Sequence, residues 1–192
     1  LKETLLMAKK QKKVFLFLLS FFFYIDGVYT IIDMATAYGA SLGLDTTGLL
    51  LALLLTQIVA FPTSLLFAVL SKSKDTATLI KVSIAAYFLI ALFAVQLDKQ
   101  WEFWLLAFCV GCFQGGIQAL SRSYFAKIIP ENASGEYFGL FDICGKGASF
   151  LGTMLIGIVT QITGKQNLGV AAISIMFVIG YILFNKVLKI DK

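Results

Sequence analysis

Six apolar runs, each long enough to cross a bilayer, decide what this chain can fold into. They are Val14 to Ala37, Thr47 to Leu70, Thr78 to Leu97, Phe103 to Ile129, Tyr137 to Thr163 and Leu168 to Leu188. A helix needs about 20 apolar residues to span roughly 30 Å of hydrocarbon, so each run reads as one transmembrane helix. Only 14% of the residues are charged, against about a quarter in an average soluble domain, which excludes a soluble core. The expected fold class is therefore an all-α integral membrane protein. The multi-pass domain occupies residues 14–192, and a basic linker, LKETLLMAKKQKK, occupies residues 1–13. Position 1 is Leu and the first run is too long for a signal-peptide core, so this segment reads as a connector continuing from something upstream.

Charge placement sets the expected topology, because short loops rich in Lys and Arg stay cytoplasmic. Lys2, Lys9, Lys10, Lys12 and Lys13 precede the first run; Lys72, Lys74 and Lys81 surround the second loop; Arg122 and Lys127 flank the fourth; Lys186, Lys189 and Lys192 end the chain. Lys99 and Lys165 lie on the opposite side, and Lys146 falls within a span. Both termini are expected in the cytoplasm. The net charge of +5 is then a juxtamembrane asymmetry facing anionic lipid, not a nucleic-acid surface. Trp101 and Trp104 suit an outer interfacial belt.

An acid inside a span is costly unless it faces protein or water, so it marks a candidate ion or substrate pathway. Asp26 and Asp33 both lie in the first run, and Asp26, Thr30, Asp33 and Ala37 share one helix face. Asp26 lies about 20 Å along the axis beyond Lys13, near the bilayer midplane. In the fourth run Gln114 and Gln118 stand one turn apart and join Asp26, Thr30, Asp33 and Lys146 as pathway candidates. Gly27, Gly111, Gly115 and Gly116 are candidates for close helix packing. The fifth run carries a stripe of Asp142, Lys146, Ser149, Thr153 and Thr160. Asp142 and Lys146, at i and i+4, can form a structural ion pair, or Lys146 can serve the pathway. Phe61-Pro62 suggests a kink in the second helix.

The third and sixth runs carry little polarity and read as lipid-facing, whereas the other four read as facing a cavity or the bundle. Each is the third helix of a triplet, which gives the pattern of a 3+3 inverted repeat. No catalytic constellation is present. Asp26 and Asp33 sit about 10 Å apart on one helix, too far to share a proton as an intramembrane aspartyl protease requires. Cys109, Cys112 and Cys144 lie within spans, and without any His the Cys109-x-x-Cys112 spacing makes no zinc site. No cofactor is expected.

At three strings the chain resembles a known family: DGVYTIIDMATAYGASLGL (Asp26 to Leu44), QALSRSYFAKIIP (Gln118 to Pro130) and GEYFGLFDICGK (Gly135 to Lys146). They resemble the major facilitator superfamily, in the branch similar to the autophagy-related vacuolar effluxers. The resemblance implies the C-terminal half of a twelve-helix secondary transporter of small solutes, amino acids among them, that works by alternating access. It implies spans one and four along the central cavity, spans two and five against an N-terminal six-helix half, and spans three and six outside. The loop AVLSKSKD (Ala68 to Asp75) departs from the superfamily pattern Gly-x-Leu-Ala-Asp-Arg-x-Gly, so no charge relay is carried over to it, and no role is transferred to Asp33. The expected partners are the N-terminal half, membrane lipid, a small solute and, for this chain by itself, a second copy. A self-sufficient six-helix scaffold or channel is the alternative, with an intramembrane enzyme further behind.

Overall fold

The computed structural model describes residues 11–190, and of Asn132 it describes the backbone alone. The described residues are helical, with no strand among them. In chain order the helices are α1 (Lys12–Ser41), α2 (Thr46–Ser73), α3 (Thr76–Ala94), α4 (Gln100–Ile128), α5 (Ser134–Lys146), α6 (Phe150–Thr163) and α7 (Gln166–Lys189). A 3-10 turn at Glu131–Ala133 joins α4 to α5. Six of the sequence's apolar runs thus appear as membrane-length segments, the fifth of them built from α5 and α6 in series. Of the expected basic linker, residues 1–10 lie outside the described residues, as does Lys192; α1 begins at Lys12.

The helix ends follow from local chemistry. Asp45 caps α2 by accepting from the Gly48 amide at 2.7 Å, and Asp75 caps α3 by accepting from the Thr78 amide at 3.2 Å. Carboxylates at these positions satisfy first-turn amides and complement the positive end of the helix dipole. Asp75 is thus occupied with the helix that follows the departing AVLSKSKD loop. Pro62 lies inside α2 without ending it. Proline leaves the Ile58 carbonyl without its helical N–H, and next to it Thr63 and Ser64 add hydroxyl donations to the carbonyls of Val59 and Phe61 at 2.8 and 2.7 Å.

α1 is the axis of the bundle. It is the most enclosed span and packs on α7 along much of its length, with α4, α5, α6, α2 and α3 touching it in turn. An aromatic cluster closes the end where α1 begins: Phe17 meets Tyr124, Phe125 and Phe184, while Phe21 stacks on Phe141 with centroids 4.1 Å apart. α2 leans on α4, and α3 bridges α4 and α7. The least covered segments are α2 and the α5–α6 span, rather than the third and sixth spans. The large hydrophobic side chains that α3 and α7 expose are Val82, Leu89, Leu92, Phe93 and Leu168, Ile175, Val178, Tyr181, Ile182, a surface suited to lipid. They are nevertheless better covered than expected, because they close over α1 and α4 while α2 and α5–α6 stand on the flanks.

Candidate functional site: a polar cavity and a carboxylate at a broken span

Backbone groups in hydrocarbon must be satisfied by the protein itself, so a break in a spanning helix needs partners for the amides it frees. The fifth span breaks between Gly147 and Ser149, and Ser149 takes a left-handed φ of 74°. The stripe expected on one helix from Asp142 to Thr160 is therefore divided between two helices. α6 starts at Phe150 without a side-chain cap of its own. Its cap comes from α1: the fully buried Asp26 carboxylate accepts from the Leu151 amide at 3.1 Å and from the Gly152 amide at 2.9 Å. Thr30, one turn along α1, donates its hydroxyl to the same carboxylate at 3.2 Å. The pair lies at matching depth, since Asp26 is about 21 Å along α1 and the 13 residues of α5 bring the break about 20 Å from its end. Gly152 is required there: a Cβ would collide with the Thr30 hydroxyl and come within 3.0 Å of the Asp26 carboxylate.

The other polar side chains gather elsewhere. A cavity of about 360 Å³ is lined by Phe21, Tyr29, Gln118, Arg122, Asp142 and Lys146 among others, from α1, α4 and α5. Arg122 lies six residues before the end of α4, about 9 Å by helical rise, so the cavity approaches the face of the bundle where α1 begins. Its guanidinium stands 3.5 Å from the Asp142 carboxylate and 5.1 Å above the Phe138 ring. Asp142 thus pairs across helices with Arg122 in place of the expected Lys146, which ends α5 and lines the cavity with its ammonium uncommitted to that acid. Both side chains of the pair keep about half their surface open, 59% and 47%, so the pair is accessible from the cavity.

Of the pathway candidates, Gln118 and Lys146 meet at this cavity, while Asp26 and Thr30 form the separate buried cap. Asp33 is exposed on α1. Gln114 is half-buried, and its Oε1 finds no hydrogen-bond partner among the described residues. The glycines occupy helix seams. Gly27 lies under the Phe177 ring of α7, Gly111 and Gly115 meet the α2 backbone at Thr56 and Ala60, and Gly116 receives the Phe67 ring. Cys109, Cys112 and Cys144 are unpaired and half-buried, and no metal-binding group occurs among the described residues.

Arg122 and Tyr29 were not singled out as cavity residues from the sequence. In the sequence Arg122 reads as a loop charge, because nothing local shows that α1 and α5 close a cavity around that end of α4. The break at Ser149 had one signal, the clustering of Gly145, Gly147 and Gly152 within eight residues.

Six membrane-length helices define an integral multi-pass membrane protein, and they enclose one charged cavity and one buried carboxylate cap. The chain belongs to the family described as vacuole effluxer Atg22-like, whose model matches residues 1–192. It is similar to the uncharacterised MFS-type transporter YxiO of Bacillus subtilis (strain 168), with 43% identity over 183 residues, 95% of this chain and 43% of that protein. It is 31% identical over 173 residues to autophagy-related protein 22 of Saccharomyces cerevisiae (strain ATCC 204508 / S288c), covering 84% of this chain and 33% of that protein. Autophagy-related protein 22-2 of Aspergillus niger is 26% identical over 196 residues, 92% of this chain and 32% of its own. The chain spans less than half the length of these relatives. Its kinship is with transporters, not enzymes.

Proposed function

We propose that this chain forms the C-terminal half of a secondary active transporter that moves small zwitterionic solutes, amino acids being the leading class, by alternating access against an N-terminal six-helix half. The observation that carries the reading is the cavity in which Arg122, Lys146 and Asp142 stand together beside Gln118 and Tyr29. Charges of both signs inside an otherwise apolar bundle are expensive and mark a solute pathway. Two cations and one carboxylate suit a molecule that brings its own carboxylate and ammonium. The solvent-accessible Arg122–Asp142 pair can exchange its internal contact for contacts to such a solute at modest cost, because pairs this exposed contribute at most about 1 kcal/mol. The basic asymmetry of the loops supports cytoplasmic termini, and hence a cavity opening toward the cytoplasm. The rocking elements in this reading are this six-helix half and the N-terminal half, moving around a site between them.

The test is counterflow in proteoliposomes carrying the full-length protein, with labelled α-amino acids, a monosaccharide and an organic cation offered in parallel. Amino acid accumulation that is lost in Arg122→Gln and Lys146→Gln, with both variants still monodisperse, is the expected result. Accumulation unaffected by either substitution, or confined to the sugar or the cation, would overturn it.

A further inference from the structure

Asp26 holds an arrangement that the cavity does not explain. Its carboxylate does not line the cavity, it is fully buried, and three donors from two helices converge on it. Two of those donors, Leu151 and Gly152, are first-turn amides of α6, a helix separated from α5 by a three-residue break with a left-handed serine. α5 carries the cavity residues Phe141, Asp142, Gly145 and Lys146, whereas α6 carries none of them. The break therefore separates a cavity-lining half-helix from one tied to α1.

We propose that the Gly147–Ser149 break is a hinge, and that Asp26 with Thr30 is the latch that fixes α6 to α1 while α5 stays free to move with the cavity. Several observations converge on this. The amides of an uncapped helix start within a membrane have no water to turn to, so the Asp26 contact decides where the start of α6 can sit against α1, while the rest of α6 packs on α7. The contact is polar and directional, with lengths of 2.9 to 3.2 Å, so it has discrete made and broken states. The room for it exists only because residue 152 has no side chain. By contrast α5 is bound by aromatic stacking of Phe141 on Phe21 and Phe125, which tolerates sliding, and by the half-exposed Arg122–Asp142 pair, which costs little to exchange. α5 also lies on the sparsely covered flank of the bundle, where motion displaces few neighbours. In this scheme Asp26 is a positioning residue and touches no solute.

Hydrogen exchange read by mass spectrometry on the chain in lipid nanodiscs tests the latch. Asp26→Asn keeps the shape and one acceptor but turns an amide group toward donors. Exchange at residues 150–156 should rise by at least about ten-fold, since a bond to a charged acceptor is lost at a site with no alternative partner. Thr30→Val, which removes only one donor and is the milder variant should Asp26→Asn fail to fold, should raise it by about three-fold. α1, α4 and the melting temperature should change little. Unchanged exchange at 150–156, or a rise spread evenly over all helices, overturns the proposal. A second readout rests on the transporter reading. In full-length proteoliposomes Asp26→Asn should lower maximal uptake and leave the half-saturating solute concentration unchanged; a raised half-saturating concentration would make Asp26 a solute contact and refute the latch. Failure of uptake in every variant and in wild type, with the exchange pattern as expected, would sink the transporter reading alone.

Discussion

Replacing Gly111 with alanine tests the seam on which the flanking helix α2 depends. A Cβ at this position would lie 2.7 Å from the Thr56 carbonyl oxygen and 2.9 Å from the Val59 Cβ, and the first of these is backbone that cannot swing aside. Restoring ordinary contact, at about 3.4 Å, requires α2 and α4 to part by roughly 0.7 Å. Two hydrogen bonds cross the same seam: Thr56 Oγ1 to the Ala107 carbonyl at 3.2 Å and Thr63 Oγ1 to the Gly111 carbonyl at 3.0 Å. Both would be stretched beyond useful length. Interhelical bonds of this kind contribute about 0.6 kcal/mol each and at most about 1.7. The lower figure applies, because each hydroxyl also bonds within its own helix, Thr56 to Ala52 and Thr63 to Val59, and is not orphaned. Adding on the order of 1 kcal/mol of lost packing and subtracting up to about 1 kcal/mol for the better helix propensity of alanine leaves a net loss of about 1 to 2 kcal/mol. Gly139 and Gly157 are the controls. They too are inside helices, but a Cβ there meets nothing within 4 Å, so alanine should stabilise by up to about 1 kcal/mol. Reversible unfolding of the purified chain in mixed micelles, followed by circular dichroism, should separate the two classes by about 2 to 3 kcal/mol. A Gly111→Ala variant as stable as Gly157→Ala would refute the close-contact argument.

Further outcomes can be stated more briefly. A double-mutant cycle on Arg122 and Asp142 should give a coupling of about 0.2 to 1 kcal/mol, and a cycle on Asp142 and Lys146 a smaller one; the reverse order would restore the pairing within one helix and contradict the cross-helix contact. Ser20→Ala removes the 2.8 Å donation to the Gly180 carbonyl that ties α1 to α7, and should cost about 1 kcal/mol by the same unfolding assay. Gly180→Ala should cost more, because its Cβ would lie 2.8 Å from the Tyr24 Cβ and push against the α1 backbone; equal stabilities would show that the two helices are not in contact there. Reconstituted by itself, the chain should self-associate through α2 and the α5–α6 flank and show no saturable solute flux, as detergent-corrected mass and a flux assay would report. Saturable flux from a strict monomer would refute both statements.

What the sequence could reveal was governed by the distance over which each feature is determined. Span length is local, so six apolar runs sufficed for the class and for the order of the helices. The same locality hid the break in the fifth span. Tyr137 to Thr163 is apolar enough to read as one helix, and what stabilises the interruption is Asp26, 125 residues away from Leu151. Pairing rules within one helix fared likewise. Asp142 and Lys146 have the right spacing, but α5 ends at Lys146 and Arg122 approaches Asp142 from another helix, a competition no i, i+4 rule contains. Asp26 itself was recognisable, because an acid at mid-depth demands an explanation, but the sequence could not distinguish an acid waiting for an ion from one already committed to protein. That distinction depends on counting donors, and the three around the Asp26 carboxylate support the latch proposed above. It follows that, of the acids marked on the first helix, the one that looked most like an ion carrier is the one most fully engaged within the fold, and that solute chemistry should be sought around Arg122, Asp142 and Lys146.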